Sequence, residues 1–212
     1  MNIGIVNMTG FPEGIKYIIK CIKKLGYTPY IVDYTTSDKI FEEIIKSNIK
    51  HWIFSGSPHM VIDSTSPIVP LNILNLKDKK FMLICYSMES ILYQLDFPVI
   101  KRYENKKEKF RLKLDVKKIE KIKKINILYN LRIKPGLRRG RIQFYRLRLK
   151  RNHHYYIPSN VIDYKKYPNM HLVSSYRKES MMIFYNNTIM VQFHPERTLD
   201  GYILINNWIL LL

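Results

Sequence analysis

The sequence predicts an α/β protein: an open, mostly parallel sheet flanked by helices, with a basic antiparallel β insert. Three observations point there. In the first half, short apolar runs alternate with segments of helical period, the pattern of βαβ units with right-handed crossovers. Near the end, two apolar runs flank Asn186-Asn187, a hairpin-like pair. Between these regions, residues 101–151 hold 21 basic and 4 acidic residues, a net of +17.

The elements follow in order. Ile3 to Met8 is a short apolar run suited to a buried strand. Gly14 opens a helical segment with Ile15, Ile18, Ile19, Ile22 and Leu25 on one stripe, and Gly26 closes it as a C-cap. Tyr27 to Asp33 reads as a second strand. Ser37 then caps a helix carrying Ile40, Phe41, Ile44 and Ile45. His51 to Ser55 and Phe81 to Cys85 give the third and fourth strands, and a helix starts near Ser87. After Pro98, Phe110 to Val116, Asn126 to Lys134 and Arg141 to Lys150 read as strands with charged outward faces. A turn over Pro135-Gly136 to Gly140 joins the last two. Ser180 to Tyr185 and Thr188 to Phe193 form the hairpin, and a final helix from about Leu199 packs Ile203, Trp208 and Leu211 inward. One domain over residues 1–212, with the insert at about 101–151, is the economical reading.

Composition sets the bounds. With 212 residues, 46% apolar and 13% aromatic, the chain can bury a sizeable core, which excludes whole-chain disorder. No apolar run reaches the ~20 residues needed to cross a bilayer, and the greasiest stretch, Tyr202 to Leu212, is interrupted by Asn206 and Asn207. The start, Met1-Asn2-Ile3-Gly4, lacks the basic and apolar regions of a secretory leader. Two cysteines, Cys21 and Cys85, make no disulfide framework. A cytoplasmic protein with no membrane partner is expected. The net charge of +19 is concentrated in the insert, since 15 basic and 13 acidic residues remain elsewhere. A field of that sign attracts nucleic acid or other polyanions.

In an open α/β sheet, ligands bind beyond the carboxyl ends of the strands. Three loops sit at such ends: Ser55-Gly56-Ser57-Pro58, Cys85-Tyr86-Ser87-Met88-Glu89 and His194-Pro195-Glu196. Cys85 lies between a strand and a helix, the context of a nucleophile elbow, where the helix N-terminus favours a thiolate. His194 and Glu196 are two apart at a strand end, so both can face one way. Glu196 can then fix the imidazole tautomer while His194 serves the thiol as base. The backbone N–H groups of Ser57 and Tyr86 are candidates for an oxyanion hole.

These motifs, in this order, resemble the class I glutamine amidotransferases, and most closely the glutaminase domain of GMP synthases. Ser55-Gly56-Ser57-Pro58, with Val61-Ile62-Asp63 and Ser66-Pro67 after it, stands where that family has Ser-Gly-Gly-Pro. Ile84-Cys85-Tyr86-Ser87-Met88-Glu89 is similar to Ile-Cys-Tyr-Gly-Met-Gln, and Val191-Gln192-Phe193-His194-Pro195-Glu196 matches the terminal signature. Asn152-His153-His154-Tyr155 with Pro158 resembles the family's Ser-His-Gly-Asp stretch. The likeness covers nearly the whole chain but is poor from about Lys101 to Lys150.

The resemblance implies a flavodoxin-like sheet and a Cys85, His194 and Glu196 triad releasing ammonia from glutamine through a thioester. It also implies substrate contacts at Gly56, Glu89 and His153, and no cofactor or metal. The partners so implied are glutamine or a related γ-glutamyl amide and a separate ammonia-accepting synthetase, since no synthetase domain is expected after the last helix. The sequence departs from the family where Leu83 and Ser87 flank Cys85 in place of glycines, where Ser57 replaces the second loop glycine, and where Glu89 replaces a glutamine. Glu89 places a negative charge beside the thiol, which raises its pKa. Those departures and the basic insert motivate a second expectation, a catalytically impaired fold kept as a nucleic-acid-binding or structural protein. Arg138, Arg139, Arg141, Arg146, Arg148 and Arg151 would then contact phosphates, with Tyr145, Tyr155 and Tyr156 near enough in sequence to stack on bases.

Overall fold

The computed structural model describes residues 1–101, 108–115, 144–151, 155–161 and 165–211. In chain order the strands are β1 (Asn2–Asn7), β2 (Thr28–Asp33), β3 (His51–Phe54), β4 (Lys80–Ile84), β5 (Ile100–Lys101) and β6 (Glu108–Asp115). They continue with β7 (Phe144–Arg151), β8 (Tyr155–Tyr156), β9 (Met170–Tyr176), β10 (Glu179–Tyr185) and β11 (Thr188–Val191). The helices are α1 (Lys16–Lys24), α2 (Ser37–Lys46), α3 (Tyr86–Gln94) and α4 (Leu199–Leu211).

Seven strands make the main sheet in the order β2-β1-β3-β4-β11-β10-β9. The pairs from β2 to β11 are parallel, and β10 and β9 add antiparallel to the far side. Strands β3 and β11 are buried at every position, as strands in the middle of a covered sheet should be. The two-residue alternation of strand side chains divides the core. Ile3, Ile5, Ile53, Met82 and Ile84 pack with Ile18 and Ile22 of α1 and with Leu204 and Trp208 of α4. Val6, Trp52, Phe54, Phe81 and Leu83 pack on the other face with Ile40 and Ile44 of α2 and Ile91 of α3.

Local signals explain the helix ends. Gly26 at φ +84 closes α1, with the N–H of Gly26 on the Lys23 carbonyl and that of Tyr27 on the Ile22 carbonyl. This double bond satisfies carbonyls that the helix end would otherwise leave bare. The cap of α2 is Thr36, whose hydroxyl accepts from the Lys39 N–H at 3.4 Å, one residue before the Ser37 expected from the sequence. In α4 the inward residues are Leu204, Ile205, Trp208 and Ile209, while Ile203 is only half-buried. Strand β9, not expected from the sequence, pairs with β10 across an irregular register and extends the sheet. Its run Met170-His171-Leu172-Val173-Ser174-Ser175-Tyr176 gives no clean period-2 alternation.

The basic insert contains a two-stranded ribbon in which β6 pairs antiparallel with β7, from Glu108↔Arg151 to Asp115↔Phe144. The expected strand at Asn126 to Lys134, the turn at Pro135-Gly136, and Arg138, Arg139, Arg141 and His153 lie outside the described residues. Among the described residues, no helix is long and apolar enough to cross a membrane. Parallel β3, β4 and β11 all end at one rim, and the three candidate loops leave the sheet there.

Candidate active site

Cys85 follows β4 directly and takes φ 53, ψ −109, a conformation that a residue with a side chain rarely adopts. Such strain persists where the surroundings over-determine it. Here the Cys85 N–H donates to the Val191 carbonyl at 2.7 Å, and the Cys85 carbonyl accepts from the Glu89 N–H at 3.1 Å. The chain is thereby fastened to the sheet on one side of the cysteine and to α3 on the other. The result is a sharp strand–turn–helix with the thiol at its apex.

The neighbouring loop is fastened to this elbow. Ser87, where the family carries glycine, does not crowd the turn: its buried hydroxyl donates to the Ser55 carbonyl at 2.6 Å. The Ser55 hydroxyl in turn accepts from the Met8 N–H at 2.9 Å, so β1, the loop and the elbow form one unit. Ser87→Ala should leave a buried carbonyl without this partner, at about 1–3 kcal/mol. At roughly 2–4 °C per kcal/mol for a domain of this size, Tm should fall by several degrees in a thermal melt. An unchanged Tm would mean that the clamp contributes nothing.

Gly56 brings the third loop in. A Cβ on Gly56 would stand 3.1 Å from Cε1 of His194 and 3.4 Å from Cβ of Cys85. The loop backbone, imidazole and cysteine thus meet around one point, which only a residue without a side chain leaves uncrowded. His194 Nδ1 lies 2.7 Å from Glu196 Oε1, and both residues are buried. Glu196 rides on the 3-10 turn Pro195–Arg197, and Gly201 of α4 lies so close to the Pro195 backbone that any Cβ would collide with it. The helix therefore seats the turn that carries the carboxylate. Arg197 Nε lies 3.5 Å from Glu196 Oε1.

Gln192 belongs to this cluster although the sequence motifs do not single it out. Its Nε2 donates to Glu89 Oε1 at 2.7 Å and lies 3.9 Å from Cys85 Sγ. It lies within the motif Val191-Gln192-Phe193-His194-Pro195-Glu196, but β11 ends at Val191 and Glu196 stands on the 3-10 turn, so strand alternation, expected to align His194 and Glu196, does not set their directions. Of the other candidates, Tyr86 turns its N–H toward the Cys85 sulfur and donates its phenol to the Pro67 carbonyl at 2.6 Å. Ser57 is half-buried beside Gly56, its hydroxyl accepting from the His59 N–H at 3.2 Å. Tyr155, a candidate for base stacking, is instead buried, with its hydroxyl on the Met60 sulfur at 2.9 Å.

Electrostatics run against the helix-terminus argument. The Cys85 thiol is pushed well above its ordinary pKa, first by burial and next by the Glu89 carboxylate. The Tyr86 N–H pulls the other way but is outweighed. A thiol so placed is protonated near neutrality and needs a base to release it. Behind the triad-like cluster, burial raises the Cys21 thiol to about 12, with Glu196 adding to the effect, so this second cysteine is an inert part of the core. Among the described residues, no group of three or more His, Cys, Asp or Glu stands together as a metal site.

Comparison with known proteins gives the same frame. Over 80 residues the chain is 36% identical to the GMP synthase [glutamine-hydrolyzing] of Wigglesworthia glossinidia brevipalpis, a match spanning 38% of this chain and 15% of that protein. Its fold is similar to that of a candidate GMP synthase subunit from Thermoplasma acidophilum, with a TM-score of 0.63, 17% identity, and 98% and 92% of the two chains covered. It is likewise similar to a glutamine amidotransferase from Thermotoga maritima, with a TM-score of 0.60, 12% identity, and 98% and 80% covered. A family model described as glutamine amidotransferase class-I matches residues 13–207, which takes in the elbow, the Ser55-Gly56-Ser57 loop and the His-Pro-Glu turn. The chain belongs to the class-I glutamine amidotransferase family.

Proposed function

We propose that this protein hydrolyses the side-chain amide of glutamine, or a related γ-glutamyl amide, through a thioester on Cys85. The observation that carries the reading is the elbow: a cysteine held at positive φ between β4 and α3, with a buried His194–Glu196 pair against the same glycine. Glu196 engages Nδ1 of His194, so Nε2 is the nitrogen left to take the thiol proton. The sulfur attacks the amide carbonyl, and the imidazolium returns the proton to the leaving nitrogen, which departs as ammonia. Water, deprotonated by the same imidazole, then cleaves the thioester to the carboxylate. The N–H groups of Ser57 and Tyr86 are assigned to the oxyanion of each tetrahedral intermediate. Gly56, Glu89 and His153 are assigned to substrate contact, with Gln192 holding Glu89 in place.

The ammonia passes to a separate synthetase, in keeping with the synthase relative. A reducing, cytoplasmic setting would keep the two free thiols intact. The test is release of ammonia and glutamate from glutamine and γ-glutamyl amides, by the protein alone and with an ammonia-accepting synthetase added. No turnover in either setting, with no thioester on Cys85, retires the reading.

The raised thiol bears on the rate. Because His194 takes the proton from Cys85, the thiolate–imidazolium pair forms by internal transfer, and a raised thiol disfavours it. Glu89→Gln removes the second-largest cause of the elevation, lowers the thiol pKa and favours that pair. Activity at pH 7 should rise relative to wild type in an ammonia-release assay. An unchanged rate would show that Glu89 does not act on the sulfur.

A further inference from the structure

The register of the β6–β7 ribbon sorts its residues by chemistry. Lys109↔Lys150, Arg111↔Arg148 and Lys113↔Arg146 are consecutive directly opposed pairs on one face. Phe110↔Leu149, Leu112↔Leu147 and Leu114↔Tyr145 occupy the other. Like charges directly opposite one another destabilise an antiparallel pair, and here three such pairs stand in a row. Ordinary surfaces mix both signs, as the rest of this chain does. A face built this way at a standing cost to the free ribbon is explained by a counter-charge from outside the ribbon.

We propose that this face binds the phosphate backbone of nucleic acid. Same-face residues of a strand lie about 6.8 Å apart, a step that spans two phosphates of one strand along a duplex axis. Two such rows give six cationic positions without an acidic interruption until Asp115. A two-stranded ribbon also fits the major groove of a duplex. The six cationic positions are assigned to phosphates, so binding is to the backbone and follows salt rather than sequence. The ribbon backbone runs beside β9, the Pro195–Arg197 turn and α4. Arg146 and Arg148 thus belong to the basic face, whereas Arg151 sits opposite Glu108 in the apolar register. The inference does not depend on the amide-hydrolysis reading.

Fluorescence anisotropy of the full chain with a short single-stranded RNA and a short duplex DNA tests it, with poly-glutamate as a polyanion lacking phosphate. Six contacts predict that affinity falls about 10³-fold between 50 and 200 mM salt. Arg111→Gln with Arg148→Gln should reduce the slope of log K against log salt by about 2, while Arg111→Lys with Arg148→Lys leaves it unchanged. Because it removes a repelling pair, the Gln variant should melt no lower than wild type. If it nevertheless fails to fold, Arg148→Gln alone should reduce the slope by about 1. A flat salt response, a slope unaltered in the Gln variants, or equal affinity for poly-glutamate, which would indicate an acidic protein partner, overturns the proposal.

Discussion

Cys85→Ser is expected to lower glutamine turnover by at least about 10³-fold while leaving the fold intact. The hydroxyl is nearly isosteric and the backbone at φ 53 is held by Val191 and Glu89, so the elbow should form as before. What changes is the nucleophile. A serine hydroxyl gives up its proton less readily than even the raised Cys85 thiol, and the site carries two carboxylates, Glu89 and Glu196, that oppose its ionisation. Ammonia release and a circular dichroism melt, measured on the same preparation, separate chemistry from folding. Turnover within tenfold of wild type would place the reaction elsewhere.

Glu196→Gln should lower kcat by about 10³- to 10⁴-fold, the scale seen when the carboxylate partner of a catalytic histidine becomes an amide. At present Glu196 Oε1 accepts from Nδ1 of His194, which leaves Nε2 free to receive a proton. An amide N–H presented to Nδ1 favours the opposite tautomer, with the hydrogen on Nε2, where it can take nothing from sulfur. Stability should change little. Glu196 is 4% exposed and, among the described residues, its second oxygen has no hydrogen-bond partner, so neutralising it removes a buried charge as well as a bond. A large loss of kcat with an unchanged melt is the expected signature. Loss of both together would assign Glu196 to the scaffold.

The parts of this site that the sequence disclosed are those fixed by short-range order. A cysteine after an apolar strand and before a helix, and a His-Pro-Glu at a strand end, can be read from a few neighbouring residues. So could the Asn186-Asn187 hairpin and the Gly26 cap. Contacts that form only when distant segments meet were hidden. Ser87 stood as a substitution for glycine, yet its value lies in a carbonyl 32 residues earlier in the chain. Gln192 gained its place from Glu89, across 103 residues. The thiol's acidity was legible in part: the helix N-terminus and the Glu89 charge are local and visible, whereas burial by the sheet and loops, the larger cause, is not. In the insert, two strands were legible from their alternation, but the pairing of β6 with β7 depends on a register that alternation alone does not choose.

The Glu89→Gln variant also bears on why the family's glutamine is absent. Gln192 Oε1 is buried with no hydrogen-bond partner among the described residues, and a glutamine at 89 could offer it an N–H. The carboxylate instead accepts from Gln192 and adds to burial in opposing ionisation of the sulfur.

The most direct measurement is mass spectrometry of the protein quenched during incubation with isotopically labelled glutamine, followed by peptide mapping. The account predicts a labelled γ-glutamyl group on the peptide containing Cys85, released by hydroxylamine as a thioester should be, and absent from the Cys85→Ser protein under the same conditions. Ammonia formation with no label on Cys85, or at the same rate in the Cys85→Ser protein, would contradict it.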